Sequence, residues 1–131
     1  IPASFLADKY GRRKVILPSL IAAGFCLLLY TFSGSLLSFI LVSILISLAM
    51  ALAGPAPAAY VVDISPKEIT GIAMSLYRTA GDIGFVIGPP ILGLIADKYS
   101  LETSLEINSV FLFIVAIIFF IFGNEKFKKS T

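Results

Sequence analysis

Apolar residues fall in four runs of membrane-spanning length along this chain rather than alternating with polar ones, which predicts helices over about 15–32, 36–62, 66–96 and 105–122. Gly11-Arg12-Arg13-Lys14 precedes the first run and Ser33-Gly34-Ser35 closes it. The second is interrupted by Gly54-Pro55-Ala56-Pro57, which removes backbone donors and predicts a kink near one end, before Asp63 terminates it. Ser65-Pro66-Lys67-Glu68 then reads as a helix start, with Ser65 as N-cap, Pro66 in the first turn and Glu68 closing a capping box. From there to Ala96 is about 45 Å of helix, so its first turns are expected at the interface or in water. Asn108 and Ser109 are almost the last polar residues of the fourth run, and a helix apolar all round belongs against lipid.

Composition turns this pattern into a class. Of the 131 residues, 58% are hydrophobic and 14% charged, against about 25% charged in a soluble domain, and the mean hydropathy is +0.99. A soluble globular fold is excluded, and an all-α, polytopic membrane bundle of four transmembrane helices is expected. The net charge of +2 is too small to argue for nucleic acid as a partner. Cys26, alone in an apolar run, reads as a small hydrophobe. Histidine is absent, and no Ser, Asp or Cys group has the spacing of a nucleophile and base or of metal ligands, so no catalytic residue, metal or cofactor is expected and an enzyme is disfavoured. Four crossings place both ends and the 63–78 connection on the side that collects nine of the ten basic residues, Lys98 being the tenth. The positive-inside rule makes that side cytoplasmic, with 33–35 and 97–106 facing outward and 123–131 a cytoplasmic tail. The first residue is Ile1, no signal-type segment precedes the first long apolar run, and the chain is expected to be a piece of something longer.

Residues 4–14 place an acid, a glycine and a basic cluster in a very short link, where Gly11 permits a turn with positive φ and Asp8 can satisfy orphan backbone donors. Asp8, Gly11, Arg12 and Arg13 fall in register with the Gly-x-x-x-Asp-Arg-x-Gly-Arg-Arg signature loop of the major facilitator superfamily, which this stretch resembles; Ser4 and Lys9 depart from it. Gly84, Gly88, Pro89 and Gly93 similarly resemble the Gly-x-x-x-Gly-Pro-x-x-Gly-Gly motif of antiporters in that superfamily, with Leu92 replacing a glycine. On the residues alone, Gly84 and Gly88 form a small-xxx-small face, either for static helix packing or for a moving contact.

Asp82 lies about 21 Å, and Arg78 about 27 Å, from an outer boundary at Ala96. A carboxylate inside the hydrocarbon slab is a candidate for coupling, and an i, i+4 pair with Arg78 is its structural alternative. The resemblance implies further that Arg12 or Arg13 meets Asp63, and Asp8 the start of the third span, in a charge lock that holds the cytoplasmic side shut. It also implies a twelve-helix fold in which this chain is the last four helices or helices three to six, with the last four favoured. The second and third spans would then line the cavity, offering Ser43, Ser47, Tyr77, Asp82 and hinges at Pro55 and Pro57, and the first and fourth would face lipid. The function implied is movement of a small solute across the plasma membrane by alternating access, proton-coupled efflux being one form, with the remaining helices and the bilayer as partners. A stand-alone four-helix dimeric exporter and a non-transporting membrane subunit are the alternatives.

Overall fold

The computed structural model of the chain describes residues 11–123, with 52 and 53 described by their backbone. Among the described residues there is no strand; the elements are α1 (Arg12–Thr31), α2 (Leu36–Ala53), α3 (Pro55–Ile64), a 3-10 turn (Lys67–Ile69), α4 (Thr70–Lys98) and α5 (Leu101–Phe122). They make four stretches long and apolar enough to cross a membrane, Arg12–Thr31, Leu36–Ile64, Lys67–Lys98 and Leu101–Phe122. The protein is an all-α integral membrane bundle.

Local chemistry sets the helix ends, and in places it differs from the hydropathy pattern. Gly11 has φ 92°, and the Lys14 amide donates to its carbonyl at 3.1 Å. The turn starts α1 at Arg12, three residues ahead of the apolar run, because arginine and lysine are good helix formers whatever their hydropathy. Ser35 and Ser38 cap α2 reciprocally through side chain and backbone. Gly54 keeps helical angles, and its amide still bonds Met50 O at 2.8 Å, so the break between α2 and α3 comes from Pro55 and Pro57, which have no amide to donate.

Two expectations are corrected. Ser65 does not cap the following helix: its hydroxyl turns back to Val61 O at 2.6 Å, the carbonyl that also accepts the Ser65 amide at 3.2 Å at the end of α3, and the chain passes through the 3-10 turn before α4 begins. The fourth span also begins four residues ahead of its expected start at about 105. Ser100 accepts the Thr103 amide at 3.0 Å, and Glu102 sits in the first turn where the helix dipole favours it, so α5 begins at Leu101.

Helix α1 occupies the centre, packing most extensively on α5, then on α2, and also on α3; among the described residues α4 meets α5, α3 and the 3-10 turn, the Ser104 hydroxyl of α5 donating to Leu92 O at 2.8 Å. The α1–α5 seam closes at Gly24. A Cβ there would lie 2.9 Å from the Phe113 ring, Phe25 meets the same ring edge-on at 5.2 Å, and the fully buried Ser109 hydroxyl donates to Gly24 O at 2.7 Å. Small residues and interhelical hydrogen bonds are the means of association available in lipid, where apolar burial offers no drive. Thus α5 is not apolar all round: Ser104, Ser109 and Ala116 form its buried stripe, and most of its bulky residues remain exposed.

Candidate functional site

The basic link and the end of the second span meet at one end of the bundle. Arg12 Nε lies 2.5 Å from Asp63 Oδ2, with the side chains 24% and 40% exposed. Each charge sits at the unfavourable end of its own helix dipole, the cation in the first turn of α1 and the anion in the last turn of α3, and the pair offsets both. Arg13 goes elsewhere: it donates to the Phe120 carbonyl, and its guanidinium carbon lies 5.3 Å from the centroid of the Phe120 ring. Of the two arginines proposed for Asp63, the structure therefore brings Arg12 to it. Asp8 lies outside the described residues.

The same end is braced twice more. Ile16 and Ala56 are buried against one another, and Tyr60 on α3 meets Phe119 on α5 edge-on at 5.2 Å. Above this, Gly54 and Pro55 are exposed at the α2–α3 junction and Pro57 is half-buried.

Helix α4 is built differently. Its half-buried residues lie towards its ends, and every residue from 75 to 87 is exposed, including Arg78 and Asp82. Among the described residues these two form no ion pair with each other, so the structural alternative for Asp82 is not made here. Nothing lies within 4 Å of a Cβ placed at Gly81, Gly84, Gly88 or Gly93, which leaves the small-residue face open. The helix runs unbroken through Pro89 and Pro90, whose missing amides leave the Phe85 and Val86 carbonyls without their helical donors. A carboxylate and two weakened turns thus fall in the middle of a membrane-length helix that the other described residues do not cover.

The hydroxyls expected in the cavity are mostly spoken for. Ser43 donates to Phe39 O at 2.8 Å and meets Tyr30 OH at 2.7 Å, and Ser47 donates to Ser43 O at 2.7 Å. With Phe39, Ile40, Ile44 and Leu48 they line a shallow, open and largely apolar face of α2. Sequence reasoning missed Gly24, Ser109 and the α1–α5 seam; the available signal was one glycine and one serine isolated within apolar runs.

The sequence model of the Major Facilitator Superfamily matches residues 1–131. An uncharacterized MFS-type transporter, MJ1560, of Methanocaldococcus jannaschii is 33% identical over 102 residues, covering 78% of this chain and 26% of the relative. Multidrug resistance protein MdtG of Salmonella paratyphi A is 31% identical over 124 residues, 93% of this chain and 30% of the relative. Its namesake in Rahnella sp. is 30% identical over 122 residues, 93% of this chain and 29% of that protein. The chain therefore spans between a quarter and a third of the length of these curated relatives. No solved structure gives a significant match.

Proposed function

This chain belongs to the Major Facilitator Superfamily, and on that premise we propose that it supplies four transmembrane helices of a longer secondary transporter that expels hydrophobic small molecules from the cell. The observation that carries the reading is the exposed stretch 75–87 of α4 with Asp82 at its centre. A carboxylate facing hydrocarbon is costly, so this stretch faces water or further protein, as a cavity-lining helix does in a carrier that rocks about a midplane site. The open glycine face and the turns weakened by Pro89 and Pro90 suit a helix that slides and bends against a partner.

In this reading the Arg12–Asp63 end lies in the cytoplasm, following the basic residues, and the pair acts as a gate beside Gly11 and Arg13. The chain forms the last four helices, and the membrane is the plasma membrane. Asp82 carries the proton, with Arg78 one turn away on the same helix. The solute class follows from the name of the MdtG relatives and from the α2 face, whose hydroxyls are taken up within the chain and which therefore offers chiefly apolar contact.

Ethidium uptake into everted vesicles containing the whole transporter tests this. Asp82→Asn is expected to abolish uptake driven by a pH gradient while leaving exchange of labelled for unlabelled ethidium. Gradient-driven uptake at the parental rate in that variant would remove Asp82 from coupling, and no ethidium movement by the parent protein would overturn the solute class.

A further inference from the structure

The two adjacent arginines at the start of α1 make different kinds of contact, and the difference assigns Arg13 a role of its own. α5 ends at Phe122, so the Phe120 carbonyl is among the last four of that helix and has no intrahelical donor. The Arg13 guanidinium supplies one, and places its positive charge at the negative end of the α5 dipole and over the Phe120 ring. Arg12, by contrast, faces a carboxylate across a half-exposed gap.

The contact joins two helices that are already fastened in mid-membrane, where Ser109 bonds Gly24 O and Phe113 fills the space a Cβ would need. At the same end Tyr60 on Phe119 ties α3 to α5, and Ile16 on Ala56 ties α1 to α3. Each pair among α1, α3 and α5 is thus joined near Arg13, whereas the central stretch of α4 is uncovered by the described residues, its side-chain tie to α5 being the Ser104 hydroxyl on Leu92 O at 2.8 Å. Relative motion of α1 and α5 would have to break a packed seam; motion of α4 at residues 75–87 would not.

We propose that Arg13 is a positioning residue: it clamps the end of α5 to the start of α1 throughout the transport cycle, and so fixes the turn at Gly11 while other contacts open and close. The proposal rests on the transporter reading above, and its test reports on the two separately. In the whole transporter with Cys26→Ser, cysteines are introduced as the pair Arg13→Cys and Phe120→Cys, or as Arg12→Cys and Asp63→Cys, and bridged by a short bifunctional thiol reagent in everted vesicles. The 13–120 pair is expected to bridge to the same extent with and without a pH gradient, and the bridged protein to take up ethidium at no less than the unbridged rate. A yield that falls when the gradient is imposed, or a bridge that stops uptake, would overturn the clamp. The 12–63 pair reports on the gate, and a yield there that ignores the gradient contradicts the gate without touching the clamp. Where uptake is absent altogether, the transporter reading fails and the dependence of the 13–120 yield on the gradient still decides the clamp. A second variant guards against misfolding: Arg13→Gln is expected to lower uptake per folded molecule by roughly threefold to tenfold with the ethidium concentration at half-maximal rate unchanged, and Arg13→Lys to recover most of it. Equal rates per folded molecule in parent and Arg13→Gln would show that Arg13 serves folding alone.

Discussion

The α1–α5 seam and the middle of α4 are both made from glycine and polar residues within membrane-length helices, yet they are opposites in packing. At the seam, Gly24 sits under Phe113 and the Ser109 hydroxyl is fully buried on a backbone carbonyl. In α4, Gly81 and Gly84 face open space, and Arg78 and Asp82 are exposed. A third of the apolar window of α1 is buried and none of that of α4. Small residues allow helices to approach, and here one set is in use while the other is left open by the described residues.

Substitutions that fill or empty these positions separate the two regions. Gly24→Leu drives a side chain into the Phe113 ring and should cost at least about 1–3 kcal/mol, seen as loss of monodisperse, thermally stable protein in detergent. Survival of that variant with an unchanged melting temperature would break the contrast at its strong end. Ser109→Ala removes one interhelical hydrogen bond and should lower stability by about 0.6 kcal/mol, and by no more than about 1.7, in unfolding from mixed micelles. Asp63→Asn removes a half-exposed pair worth about 0.2–1 kcal/mol, so thiol labelling at the gate end should rise at most about fivefold, and less in high salt where the parent pair is already screened. Gly84→Ala adds a methyl group with no neighbour in the chain and should leave stability within about 0.5 kcal/mol, while slowing transport if a partner helix closes on that face.

Hydropathy made the four spans legible, because nothing but a bilayer accommodates apolar runs of this length. It was blind to ends set by single hydrogen bonds. Ser65 and Ser100 are both serines beside charged turns, but one serves the carbonyls of the helix behind it and the other caps the helix ahead, and only the folded backbone distinguishes them. The meeting of a signature-loop arginine with Asp63 was legible from the resemblance, since the motif fixes spacing. Which arginine was not, because the choice depends on the angle at which Gly11 launches α1 and on an orphan carbonyl 107 residues away. The seam at Gly24 was equally hidden, for its partners Ser109 and Phe113 lie on the far side of two intervening spans.

The central claim is that the middle of α4 faces a water-filled path and not lipid. Val86, one turn from Asp82 and 69% exposed, reports on it most directly. In the whole transporter carrying Cys26→Ser and Val86→Cys, a membrane-impermeant thiol reagent should label position 86 from the aqueous phase, at a rate that changes severalfold when ethidium is added. Labelling only by a lipid-soluble reagent, at a rate indifferent to ethidium, would contradict the account.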